Sequence, residues 1–191
     1  MAIQFGFKQM IMNRVSVLVK HVEQVRNSYA ALLANVDENE GNYKPTPDTW
    51  CLAEITEHLF WAEHGGILGM WKTLRAIREG KMERTFESIH KRLSIEVIVD
   101  RTWKSKEQVP AVAAPRMGGT LIFWRAALLS LQLVLDEFGN DLKEDELRMQ
   151  AHPHPISGPM DFQQRLEFLA FHIQRHHEQA KEVRKQWSPT M

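Results

Sequence analysis

From Phe162 to Trp187 the apolar positions Phe162, Leu166, Leu169, Ile173, Ala180, Val183 and Trp187, with His176 among them, alternate in steps of four and three residues. Only a helix of 3.6 residues per turn gathers such positions into one seam. A seam that long must be covered along its whole length by other elements. Asp161 and Gln164 form a capping box at its start.

Three further stretches carry the same periodicity. One is predicted from about Phe7 to Leu33, through Met10, Ile11, Val15, Leu18, Val22, Val25, Tyr29 and Leu32. A second runs from Leu52 to Arg78; Cys51 and Glu54 have the spacing of a capping box, but a thiol caps weakly, so Asp48 or Thr49 is an alternative cap. A third opens at Thr120 and stops at Gly139-Asn140. Rods of roughly 20–27 residues reach ~30–40 Å. Residues 1–191 are therefore expected to form one all-α domain, a four-helix bundle. About 40 residues separate helices two and three, which predicts a long crossover there. Within it, Ser94 to Val99 is β-branched and weakly alternating, and reads as a short strand or an extended arm.

Composition narrows the function. Lys plus Arg (24) equals Asp plus Glu (24), so no net field draws nucleic acid or an anionic bilayer, and neither is an expected partner. Cys51 is the single cysteine, which excludes an intramolecular disulfide and a cysteine-based zinc site. No run approaches ~18 apolar residues and the first residues lack the pattern of a leader, so a cytoplasmic protein is expected.

The histidines carry the chemistry. His172 and His176, four apart, differ by about 40° around the helix and can aim at one ion, whereas His177 points about 100° away from His176. Taken alone, the pair is either two ligands or a polar pair at the edge of the bundle. A third ligand must come from another helix, and His58 flanks the stripe Leu52, Ile55, Leu59 and Ala62. Burying three imidazoles together is costly unless a shared cation relieves them. Three neutral imidazoles suit one divalent ion, Zn, Ni or Fe(II). His152 and His154 sit in a Pro-rich loop and are expected to bond to backbone. The segment from His172 to His176 lacks the glutamate of a zincin, and Ile55, Leu169 and Ile173 stand where di-iron bundles place Glu before His. No nucleophile elbow, Walker loop or dinucleotide fingerprint is present.

Trp50-Cys-Leu-Ala-Glu54-Ile-Thr-Glu-His58-Leu59 resembles the start of helix two in the DinB/YfiT-like superfamily. The run from His154 through Pro155, Gly158, Pro159 and Asp161 to His172 and His176 is similar to that group's pattern before and through helix four. The resemblance covers nearly the whole chain. It implies a four-helix bundle with the group's crossover and a divalent-metal site on His58, His172 and His176. Cys51 departs from the Ser or Thr common at that helix start. Members of the group include metal-dependent thiol S-transferases, mycothiol-dependent isomerases and hydrolase-like proteins, which implies a small-molecule substrate, a low-molecular-weight thiol among the options.

Two functions compete at this point. One is a metal-dependent enzyme, with Glu63 and Glu54 as weak candidates for acid–base or supporting roles, although a solvated helix face is the simpler account of Glu54. In that reading Arg165 and Arg175 are candidate anion binders, although arginines on such a helix more often form surface pairs. The other is a non-catalytic, metal-stabilised binding or stress-response module. A homodimer is compatible with either, built on exposed aromatics such as Trp71 or Trp103.

Overall fold

The computed structural model describes residues 13–104 and 108–188. Asn13 is extended, with ψ 164°, and its Oδ1 accepts from the Ser16 N–H at 2.8 Å. This cap opens α1, which runs over Arg14–Leu32; the expected start at Phe7 lies outside the described residues. A short α2 (Glu38–Asn42) is capped by Asp37. In α3 (Leu52–Arg78) Cys51 is the N-cap, and the Glu54 carboxylate reaches back to accept from the Cys51 N–H at 3.0 Å. Thr49 turns instead onto Thr46, accepting from its N–H and donating to its carbonyl.

The expected strand or arm at 94–99 is a helix, α4 (Ile95–Thr102). Ser94 caps it, and Ile95, Ile98 and Val99 are buried at helical spacing. The β-branched residues supplied a face for packing rather than a pleat. Helix α5 (Leu121–Asp141) opens on Thr120 as expected but does not stop at Gly139. Gly139 lies inside the helix where α1 crosses: a Cβ there would stand 2.8 Å from Val19 Cγ2. Its role is close approach, not termination. Helix α6 (Phe162–Gln186) is closed at its start by the Asp161–Gln164 box, with Asp161 Oδ1 accepting from Gln164 N–H at 2.7 Å.

All named elements among the described residues are helical, α1 to α6 plus a 3₁₀ turn at Glu144–Glu146. The long helices pack in a ring: α3 against α5 and α6, α1 against the same two. Val22, Leu59, Leu135 and Ile173 are buried between them in one core. Arg26 and Glu63 are also inside it, 1% and 0% exposed, paired at 2.6 Å, with Gln132 as a further partner of Arg26. The 79–120 connection holds α4 against α6, where Ile95, Ile98 and Val99 meet Met160 and Phe168 in a second, smaller cluster. Gln164 Nε2 donates to the carbonyls of His90 and Leu93, fastening the connection to the start of α6.

Trp71 and Trp103 are half-buried within this chain, which corrects their expected exposure. Trp71 donates to Asp141 at 3.0 Å and Trp103 to Ser157 Oγ at 2.9 Å. Exposed apolar residues include Ile122, Phe123 and Leu133 on α5 and Ile89, Val112 and Met117 on the 79–120 connection. No helix among the described residues is long and apolar enough to cross a membrane.

Candidate metal centre

The N-terminal turns of α3 face the middle of α6, and this brings His58 to His172 and His176. The Nε2 of His58 is 3.2 Å from that of His172 and 3.1 Å from that of His176, and the last two are 3.1 Å apart. All three rings are buried. Burial holds each imidazole below its ordinary pKa: His58 is lowered, His172 is well below with the neighbouring rings adding to it, and His176 is down to about 3. The rings are therefore neutral at pH 7.

Neutral imidazoles carry one proton each, and two of these protons are already committed. His58 Nδ1 donates to the Ala113 carbonyl at 2.8 Å, and His176 Nδ1 donates to Gln179 Oε1 at 2.6 Å. The Nε2 atoms of those two rings are thus bare lone pairs facing each other, and a single proton on His172 Nε2 serves only one of them. A cation satisfies all three. His58, His172 and His176 would hold one ion together through Nε2, and a bound divalent ion would supply Lewis acidity there. The three nitrogens lie close enough together to hold a metal ion. Oxygen partners on Nδ1 of His58 and His176 are what metal-ligating histidines use to hold tautomer and ring direction.

Glu57, adjacent in sequence to His58 and 1% exposed, fixes the segment that carries the Ala113 carbonyl. Its carboxylate accepts from the N–H groups of Arg116 (2.8 Å), Met117 (2.7 Å) and Gly118 (3.2 Å), and from Trp61 Nε1. Burial pushes its pKa up, but these donors together bring it below the ordinary carboxylate value. The residue escaped sequence reasoning because its three backbone partners lie about 60 residues away, and no spacing rule reports such contacts.

The three histidines lie in the wall of a cavity of about 760 Å³. Trp50, Trp61, Trp103 and Phe168 form apolar parts of the wall, and the Trp50 ring lies 5.0 Å from that of His58. His152, His154, Arg165 and Arg175 also line it. His154 bonds to backbone as expected, accepting from the N–H of Ile156 and Ser157, while its ring packs on Phe168. His152 accepts instead from Arg165 Nη2 at 2.9 Å. Arg165 is buried, 4% exposed, contrary to the surface pairing expected of it; Arg175 lies over the Trp103 ring. Pro-rich loop chemistry gave no hint that 152–156 closes the cavity.

Of the carboxylates singled out from sequence, Glu63 is paired with Arg26 in the core and Glu54 caps α3 while paired with Lys44 at 2.6 Å. Neither is among the residues lining the cavity. His177 stands outside the cluster, edge-on to Tyr29.

A family model described as the DinB superfamily matches residues 21–180. Among solved structures, a conserved protein from Enterococcus faecalis has a similar fold, with a TM-score of 0.53 at 13% identity, over 92% of this chain and 97% of its own. At that identity the likeness speaks for the fold alone. No protein of curated function matches the chain.

Proposed function

The chain belongs to the DinB superfamily, and from that membership together with the three-histidine cluster we propose that it is a divalent-metal-dependent enzyme acting on a small molecule, thiol S-transferase-like or hydrolase-like. One observation supports this reading above the others. His58, His172 and His176 converge in the wall of a large cavity, where a small molecule has access to what they hold. A purely structural ion is ordinarily closed in by a fourth protein ligand.

When bound, zinc, nickel or iron(II) supplies Lewis acidity, which lowers the pKa of a water or holds a low-molecular-weight thiol as thiolate. The chain's own part is orientation. Ala113 O and Gln179 Oε1 accept hydrogen bonds from the Nδ1–H groups of His58 and His176, so the Nε2 lone pairs of those rings face inward. Glu57 holds the 116–118 segment, and through it the position of Ala113. Trp50, Trp61 and Trp103 bring apolar surface to the substrate and exclude water from it.

The non-catalytic alternative, a metal-stabilised binding or stress-response module, draws on the ligands' origin in two helices, which an ion would tie together. It leaves the cavity without a use. Metal analysis of tag-free protein tests the common ground: about one zinc, nickel or iron per chain, absent from His176→Ala, is expected. Consumption of a thiol, or hydrolysis of an activated ester, by the protein as purified, abolished by a chelator and restored by the ion, separates enzyme from module; absence of both reactions, or insensitivity to chelator, sinks the enzymatic reading.

A further inference from the structure

Arg165 is the least satisfied polar residue of the cavity wall. It is 4% exposed, yet its Nε and Nη1 have no hydrogen-bond partner. Its Nη2 donates to His152 Nε2 at 2.9 Å, so the proton of that neutral ring sits on Nδ1, which is also buried without a partner. No carboxylate among the described residues is within ion-pair distance of the guanidinium. Asp48, the acidic residue on the cavity wall, is exposed. A buried cation with unpaired N–H groups is costly, and folding alone gives no return for it. What the place lacks is a set of acceptors carrying negative charge.

The backbone makes room for this arrangement. On α3 a Cβ at Gly69 would stand 2.5 Å from His152 Nε2, and one at Gly66 would stand 3.5 Å from Arg165 Nη2. The pair is thus seated against a glycine-bearing face of α3. On α6, Arg165 precedes His172 by seven residues, two turns along the same face, or about 10 Å. Phe168 and Leu169 line the cavity between them.

Resting on the reading of this cavity as a metal-dependent active site, we propose that Arg165, with His152 beside it, anchors a carboxylate of the substrate. The substrate is then a small organic acid whose carboxylate sits on Arg165 while its reactive group reaches the histidine cluster two turns away. A single buried guanidinium suits a planar monoanion better than a phosphate dianion, because Arg175, the other arginine on the wall, is exposed.

The test uses the full chain, as purified and again after chelation and dialysis, titrated calorimetrically with 3-phenylpropionate, its amide and inorganic phosphate. The acid should bind on the order of tenfold or more tightly than the amide, and more tightly than phosphate. That preference should vanish in Arg165→Gln and in Arg165→Met, either of which suffices should the other fail to fold. Equal affinity for acid and amide, a preference for phosphate, or a preference that survives the substitutions overturns the anchor. Because the chelated protein is titrated too, the two readings fail separately: an acid preference in protein that never carries metal keeps the anchor and sinks the metal centre, and the reverse result does the opposite. Thermal unfolding adds a readout that a merely structural arginine would move the other way. Losing Arg165 should leave the melting temperature unchanged or raise it, since the variant no longer buries an unpaired charge.

Discussion

His58 Nε2 and His176 Nε2 stand 3.1 Å apart with both Nδ1 protons committed elsewhere, so two lone pairs face each other across the α3–α6 contact. Without a cation that contact is repulsive. A chelator is therefore expected to lower the melting temperature and the ion to restore it. At an ion concentration 100 times its Kd the gain is about 2.7 kcal/mol, or ~5–10 °C for a domain of this size. His176→Ala should melt at one temperature with or without metal. A wild-type melting temperature indifferent to chelator counts against the centre.

Glu57 gives the centre a handle outside its ligands. Replacing it with Gln removes charge-assisted acceptance from three backbone N–H groups and loosens the segment bearing the Ala113 carbonyl. Metal affinity should fall about 10- to 100-fold, the range seen when a ligand's supporting partner is lost. Competition with a chromophoric chelator reads this directly, and an unchanged Kd would mean that Ala113 holds its place without Glu57.

The metal-free protein should be acid-labile in a defined window. Buried His176 and His154 have pKa values lowered to about 3 and His152 to about 4, whereas an unfolded histidine takes its proton near ~6.5. Between those limits the unfolded chain binds more protons, so stability rises with pH there: it is fully present above about 6.5 and drains as pH falls toward the folded values. Each deeply buried histidine contributes a slope of about 1.4 kcal/mol per pH unit. Denaturant melts of chelated protein at pH 7.5 and 5 should differ by several kcal/mol, and coincident melts would contradict the burial of these rings.

The legible part of the molecule was what repeats locally. Val15, Leu18, Val22 and the 162–183 seam are buried as their spacing demands, and the Thr120 and Asp161 caps are where short polar residues precede apolar runs. His58, His172 and His176 could be chosen because two share a helical face and a third must come from elsewhere. What misled was any residue whose role depends on a distant neighbour. Gly139 reads as a stop until α1 is seen pressing on it, and Ser94–Val99 reads as extended until α6 supplies something for a helical face to pack on. Glu57 and Arg165 take their meaning from loops that arrive from 116–118 and 152, beyond the reach of periodicity.

Glu63 illustrates the same point in the core and can be tested there. Burial raises its pKa while Arg26 opposes that rise. Arg26→Ala leaves a buried, unpaired carboxylate and should cost about 3–5 kcal/mol, whereas Arg26→Met with Glu63→Met, which removes both charges, should cost far less. Metal content per folded molecule should be untouched in the double variant. Loss of metal there would return Glu63 to the site.

Two glycines on α3 make a matched pair. At Gly65 an added Cβ meets no atom within 4 Å, while at Gly69 it would lie 2.5 Å from His152 Nε2. Ala is the better helix former by roughly 1 kcal/mol at either position, so Gly65→Ala should raise stability by about that amount. At Gly69 the same gain is opposed by displacement of a ring held between α3 and Arg165, an overpacking cost of about 1–3 kcal/mol. Gly69→Ala should therefore be neutral to clearly destabilising, and it should also shift the His152 ring resonances and weaken 3-phenylpropionate binding. Both variants should keep full metal stoichiometry, because the three clustered histidine rings lie elsewhere on the wall. Equal stabilisation by the two substitutions would show that His152 does not rest against α3.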